Sequence, residues 1–419
     1  ILNKESTCVM DKITKIKYYI QSLCIYDVKA DPVISALYSL LDSVNSEQVL
    51  LKQGDFFNTL SAHESLKHYV SRLILTDDNV FTKAAAAGKE NELREAVLSG
   101  VKSDLEKLEA IASVTAKDIL DAVNDADIKE ILSTMPCWGS GKALPPLSND
   151  WQNQIDELAG FHKINGYGKF AKYYAFAWRD KALTPISAIS QIKLGDLKNY
   201  EKQRNQVLDN TIAFLKGYPA NNVLLYGDRG TGKSSTVHAI LNEYKNQGLR
   251  MIEISKGDIN DLTMIRELIS DSPMKFIIFI DDLSFDSHED SFGELKAALE
   301  GSISGRQGNT LIYATSNRRH LIKENFSDRE NDVNRTDTLQ EELSLSDRFG
   351  LSITFMNPDK ADYLDIVEKI ACDRGLDVDT ERLLEASDQW ARRRGGRSPR
   401  CAKQFIDYVE GCLKRNVDW

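Results

Sequence analysis

Gly227-Asp228-Arg229-Gly230-Thr231-Gly232-Lys233-Ser234 follows a short β-rich run at 223–226 and runs into a helical pattern over 235–244. Its spacing is G-x-x-x-x-G-K-[ST], and its setting between a strand and a helix is the one the chemistry needs. Glycines let a loop fold so that successive backbone N–H groups face one anion, and the helix adds the positive end of its dipole. A lysine at Lys233 reaches the β- and γ-phosphates of a nucleoside triphosphate, and the Ser234 hydroxyl suits Mg²⁺. The stretch predicts a phosphate loop in which Gly227, Asp228, Arg229, Gly230, Thr231, Gly232, Lys233, Ser234 and Ser235 contact the nucleotide.

Downstream, Lys275-Phe276-Ile277-Ile278-Phe279-Ile280-Asp281-Asp282 is an apolar strand that ends in two carboxylates. A buried strand of a parallel sheet brings its C-terminal residues to the same edge as the phosphate loop. Asp281 is placed to hold the water shell of Mg²⁺, and Asp282 to polarise an attacking water. A further strand, Leu249–Ile254, lies in sequence between the loop and the acidic strand. That order points to the P-loop class in which a strand is inserted between the two motif strands, and it favours hydrolysis over transfer to a metabolite. Two more β-rich runs stand at 310–314 and 352–355, with helical segments between the earlier strands. In one of those segments Leu262, Ile265, Leu268 and Ile269 are expected to share a face. The alternation predicts an α/β fold, a parallel sheet of five strands covered on both sides. From residue 359 the pattern is helical only, a C-terminal lid subdomain spanning 358–419.

Three more stretches end in polar or basic residues: Leu311-Ile312-Tyr313-Ala314-Thr315-Ser316-Asn317, Leu345-Ser346-Asp347-Arg348-Phe349-Gly350 and Gly395-Gly396-Arg397-Ser398-Pro399-Arg400. With the phosphate loop and the acidic strand, they resemble the ordered motif set of AAA+ ATPases over residues 190–419. The resemblance implies ATP and Mg²⁺ as cofactors. It gives Asn317 the orienting of the attacking water, and Arg348 the role of a finger acting on ATP held by a neighbouring subunit. It gives Arg400 (or Arg397) a contact from the lid to the nucleotide. Leu197 and Tyr200, within Asp196-Leu197-Lys198-Asn199-Tyr200-Glu201-Lys202-Gln203, fall where the family lines its adenine pocket. Asp282 departs from the Glu that many members carry, and its shorter arm implies slower turnover. More closely, residues 224–235, 314–321 and 343–350 resemble a bacterial AAA+ family catalogued only as a domain of unknown function. The Tyr167 segment and the polar insertion at 325–343 extend that resemblance upstream to about residue 150.

Residues 1–150 read as a helical N-terminal domain. Apolar residues recur three or four apart from Leu93 through Val97, Val101, Leu105 and Leu108 to Ile111, and Asp31-Pro32 and Asp125 are helix starts. A Gly- and Pro-rich break at 136–146 leads to a linker, 151–195, that ends at an α/β core over 196–357. Within it, Gly166-Tyr167-Gly168-Lys169-Phe170-Ala171-Lys172-Tyr173-Tyr174 interleaves aromatic and basic residues. That is either a strip for a nucleic-acid strand or, the favoured reading, a turn and helix packing its aromatics inward.

At 419 residues the chain is long enough for two or three domains, and its formal charge of −10 argues against a dedicated nucleic-acid binder. The six cysteines, Cys8, Cys24, Cys137, Cys372, Cys401 and Cys412, are scattered without a CxxC pair, which predicts reduced thiols. No apolar run is long enough to span a bilayer and the start carries no secretory signal, so a cytoplasmic protein without membrane contact is expected. The favoured function is an ATP-driven remodeller or switch. It would self-associate as a ring or dimer through Arg348, and its helical N-terminal region would recognise a protein client. The alternatives are a DNA-associated loader, touching the strand through the Tyr167 segment or the arginines at 392–400, and a nucleotide-binding scaffold with little turnover.

Overall fold

The computed structural model describes residues 10–286, 291–300, 308–317, 322–323 and 348–419. The insertion at 325–343, residues 318–321 and 343–347 of the strings above, and Cys8 lie outside the described residues. The chain divides into two compact units, one running to Lys172 and the other Tyr173–Trp419.

The first unit is helical throughout its described regular structure. Asp31 and Asp125 do start helices: the Asp31 carboxylate accepts from the N–H groups of Val33 and Ile34, with Pro32 at the first helical position, and Asp125 caps Asp127 and Ile128. The Leu93–Ile111 pattern forms the helix Glu95–Ala112, which buries Val101, Leu105, Leu108 and Ile111 in a core shared with Leu37, Phe56 and Trp151. Of the aromatic segment, only Gly168–Lys172 is helical, and Phe170 turns inward with 5% exposure. Tyr167 meets Phe170 edge to face and carries Lys83 over its ring.

The second unit is built on a sheet of seven strands, where five are expected from the sequence. Its strands are β1 (Ala175–Arg179), β2 (Ala182–Pro185), β3 (Val223–Gly227), β4 (Leu249–Ile254), β5 (Lys275–Ile280), β6 (Thr310–Ser316) and β7 (Leu351–Phe355), in the order β2-β1-β4-β5-β6-β3-β7. The two extra strands form a hairpin at one edge, with β2 antiparallel to β1 and β1 parallel to β4. Its two-residue turn is Asp180 and Lys181, both left-handed at φ 49° and 57°. That geometry suits a hairpin, but the residues lack the Asn-Gly or Asp-Gly signature that reveals one in a sequence. Every other neighbouring pair in this sheet is parallel. The inner strands read as continuous apolar runs because helices cover both faces, and β5 is buried from Phe276 to Ile280.

The helices of this unit are α1 (Glu201–Leu215), α2 (Lys233–Tyr244), α3 (Leu262–Ile269), α4 (Ser291–Glu300), and the lid helices α5 (Lys360–Asp373), α6 (Thr380–Arg393) and α7 (Pro399–Lys414). In α3, Leu262, Ile265 and Ile269 are buried while Leu268 is 47% exposed, so the expected four-residue face lacks Leu268. At 100° per residue, Leu268 falls about 60° beyond Ile265 and about 100° or more from Ile269 and Leu262, past the edge of the buried face. Asp359, Asp379 and Ser398 cap the three lid helices through their side chains, and Tyr363, Ile366, Leu383, Phe405 and Val409 form the lid's own core.

Candidate nucleotide site

The site lies where β3, β5 and β6 end. The strand between the two motif strands is β6, which arrives from later in the chain and pairs with both; β4 lies beyond β5. This arrangement brings the loop after β3, the carboxylates after β5 and the polar end of β6 to one edge.

The phosphate loop begins at Gly227, whose φ is 129° and where an added Cβ would lie 2.1 Å from the Phe355 carbonyl oxygen. The end of β7 passes that close because Asp228 N–H donates to the same oxygen at 2.8 Å. The Thr231 hydroxyl donates to the Asp228 carbonyl at 2.8 Å and draws the loop round, and the Asp228 carboxylate accepts from Asn357 N–H at 2.7 Å. Gly230 meets the lid: an added Cβ would stand 3.0 Å from Ser398 Oγ and 3.1 Å from Arg400 Cβ. Gly232 caps α2 at φ 96°. Lys233 is buried and donates to the carbonyls of Gly227 (2.9 Å) and Asp228 (2.7 Å) and to Asn317 Oδ1 (3.2 Å). Burial draws its ammonium below the ordinary lysine range, against the opposing pull of Asp228, Asp282 and Asp281.

Asp281 Oδ1 accepts from the Ser234 hydroxyl at 2.6 Å and from the Thr315 hydroxyl. Asp282 sits in left-handed backbone at φ 53°. It is held there by its N–H donating to Thr315 Oγ1 at 2.9 Å, by Leu283 N–H donating to the Thr315 carbonyl at 2.7 Å, and by Asn317 Nδ2 donating to its carboxylate. Thr315 therefore holds the Asp281 carboxylate and the backbone of Asp282, while Asn317 holds the Asp282 carboxylate. In the sequence Thr315 reads as an ordinary β-branched strand residue, and nothing singles it out. Ser234 and Asp281 offer the hard oxygen donors that Mg²⁺ takes together with waters and phosphate oxygens, so the residues present fit that ion.

On the opposite side, Leu197, Asn199, Tyr200, Ile366 and Ile370 line the cleft, which encloses about 1070 Å³. The Tyr200 hydroxyl donates to the Met356 carbonyl at 2.6 Å and its ring lies 5.2 Å from that of Phe355. Burial raises the Tyr200 hydroxyl well above its ordinary pKa. Lys198 and Asp373 form a close ion pair between this loop and the end of α5.

The two candidate lid arginines separate clearly. Arg397 is committed to Asp388, which Arg392 also contacts. Burial raises the Asp388 carboxyl, but the bonds from Arg397 and Arg392 outweigh it and hold the group below its ordinary value. Arg400 lines the cleft, and its N–H donates to the Gly230 carbonyl at 3.1 Å. Arg229, Ser234 and Ser235 line the cleft as well. Arg348, half-buried just ahead of β7, is not among the residues that line it.

A family model described as "Protein of unknown function (DUF815)" matches residues 171–413, more than half of the chain. The chain belongs to this family. It is a member of the AAA+ ATPase superfamily, as its motif order leads one to expect. Among curated proteins this DUF815 chain is 29% identical over 144 residues to the Probable mitochondrial chaperone BCS1-A of Dictyostelium discoideum, 30% of this chain and 32% of that one. It is 32% identical over 79 residues to the Replication factor C large subunit of Nanoarchaeum equitans, 19% of this chain and 18% of that one. The DUF815 chain thus matches about a third or less of the length of these relatives. Among solved structures, the Thermotoga maritima RuvB Holliday junction branch migration motor aligns with a TM-score of 0.37 at 15% identity, over 55% of this chain and 68% of that one.

Proposed function

We propose that this protein binds ATP with Mg²⁺ in the cleft and hydrolyses it to switch or remodel a macromolecular partner. The observation that supports this most is the meeting of Lys233, the Ser234–Asp281 pair and the Asn317–Asp282 pair at one edge of the sheet. In this reading the N–H groups of residues 228–234 and the Lys233 ammonium bind the β- and γ-phosphates. A magnesium ion bound through Ser234 and Asp281 would supply positive charge to the phosphate oxygens. Asp282, aimed by Asn317, takes the proton of a water that attacks the γ-phosphorus. The bond from that phosphorus to the β–γ bridging oxygen breaks, leaving ADP and phosphate. Leu197 and Tyr200 receive the adenine side and Arg400 reaches the nucleotide from the lid. Arg348 completes the site of a neighbouring copy, a role that suits an arginine standing outside its own cleft.

Switching follows from how the lid meets the cleft. The Arg400–Gly230 main-chain bond and the Lys198–Asp373 ion pair both cross it, so a change in what the cleft holds is felt by α5 and α7. The relative named a chaperone agrees with a protein client, which the helical unit up to Lys172 is proposed to recognise. The nucleic-acid alternative is disfavoured by the aromatic and basic side chains it would use. Phe170 is buried, Tyr174 is covered by Lys245 and Arg250, Arg392 and Arg397 are paired with Asp388, and Arg394 lies over Trp390. Mg²⁺-dependent release of phosphate from ATP by the full chain, lost in Lys233→Ala together with ATP binding, is the expected result. An Ala variant that binds ATP as tightly as the parent would refute the phosphate-loop assignment.

A further inference from the structure

The turn that carries Leu197 and Tyr200 to the cleft is built against local preference. Asn199 and Tyr200 both take left-handed backbone, at φ 63° and 62°. Asparagine tolerates this because its short side chain bonds locally, and Asn199 Oδ1 accepts from the Tyr200 N–H at 2.7 Å. Tyrosine has no such local compensation, so the corner persists only if its surroundings hold it.

Arg204, in the first turn of α1, does the holding. Its Nη1 donates to the carbonyl of Leu194 at 3.0 Å and, more closely, to that of Leu197, while Nη2 lies 3.2 Å from Glu201. The residue is 9% exposed and lines the cleft, and its Nε is buried without a hydrogen-bond partner among the described residues. Burial lowers the guanidinium from its usual range, opposed by Glu201. A second staple comes from the phosphate-loop helix: Asn242 Nδ2 donates to the carbonyls of Ser190 (2.6 Å) and Ile192 (2.9 Å). Side chains from α1 and α2 thus gather the carbonyls of this loop. The wall facing the cleft sets Ile192, Leu197 and Tyr200, which suit the face of a flat heterocycle, beside Asp196, Lys198 and Asn199, whose polar groups suit its edge.

We infer that Arg204 is a positioning residue for the base of the nucleotide: by gathering the Leu194 and Leu197 carbonyls it sets affinity for the base, and preference among bases, without touching the phosphates. This deepens the ATP reading given above and rests on it. The guanidinium fork serves two carbonyls from one rigid plane, which neither lysine nor glutamine reproduces.

The test is equilibrium binding of ATP, GTP and inorganic tripolyphosphate, each with Mg²⁺, to the full chain and to Arg204→Gln and Arg204→Lys. For Arg204→Gln the ATP Kd is expected to rise about tenfold or more, the range of hydrogen bonds from a charged donor. The ATP-over-GTP preference narrows and tripolyphosphate binding is unchanged, with Arg204→Lys falling between. Should Arg204→Gln not fold, Asn242→Ala removes the other staple of the same loop and is expected to give the same split between ATP and tripolyphosphate. Equal weakening of ATP and tripolyphosphate, or no change in either, overturns the role of Arg204. A parent chain that binds neither ligand overturns the nucleotide reading itself.

Discussion

The side-chain nitrogen of Asn317 donates to the Asp282 carboxylate, and the oxygen of the same amide accepts from Lys233. One planar group thus joins the cation expected on the phosphates to the carboxylate expected to take the proton. Asp282→Asn is expected to lower kcat by roughly 10²–10⁴, the range for a general base, with ATP still bound. Asn317→Ala leaves the base present but unaimed, and a loss on the order of 10²-fold follows from misplacement alone. Single-turnover phosphate release measured beside ATP affinity checks both, and normal turnover in Asp282→Asn would remove that residue from its role.

Gly227 tests the packing of the loop rather than its chemistry. A methyl group there would stand 2.1 Å from a backbone oxygen, at a φ of 129° that side chains rarely adopt. Since neither backbone can step aside cheaply, Gly227→Ala should destabilise the second unit by about 3 kcal/mol or more. Denaturant unfolding is the measurement. A variant as stable as the parent would show that β7 does not crowd the loop as described.

Arg348 tests whether sites are shared. Arg348→Ala is expected to keep ATP binding and to lose roughly 10³-fold in turnover, the lower range for an arginine finger. Mixing it with Lys233→Ala should restore part of the activity, because one copy then supplies the arginine and the other an intact phosphate loop. A mixture no more active than its parts would argue for an enzyme complete in one chain.

His162 gives the helical unit a pH dependence. The ring is fully buried, Nδ1 is 2.9 Å from the Gly166 carbonyl and Nε2 has no partner among the described residues; burial lowers its pKa to about 4, against the weaker pull of that carbonyl. The folded ring therefore stays neutral where the unfolded one, with a pKa near 6.5, takes up a proton. Its contribution is fully present above about pH 6.5 and is lost as pH falls from there towards 4, about 1 kcal/mol by pH 5.5. Urea unfolding at pH 8 and pH 5.5 measures this, and His162→Gln should flatten the difference. An equal pH slope in that variant would assign the effect elsewhere.

What the sequence revealed follows from range. The strands β3 and β5 and the run of helices after residue 359 depend on neighbours in the chain, and spacing alone makes them legible. The hairpin β1–β2 stayed hidden because Asp180 and Lys181 adopt its turn without the residues that advertise it, and because its residues fall inside the stretch read as a linker, 151–195. Leu268 misled because an apolar residue one step off a helical face looks the same on paper as one on it. Thr315, Arg204 and the Lys198–Asp373 pair gain their meaning only from partners far along the chain, and no local pattern marks them.

The bond from Arg400 N–H to the Gly230 oxygen belongs to the peptide backbone on both sides. Almost any side chain placed at 400 would preserve it, so the lid can change its outer chemistry without slipping from the loop it covers. Proline, which has no N–H to give, is the substitution that would cut the tie.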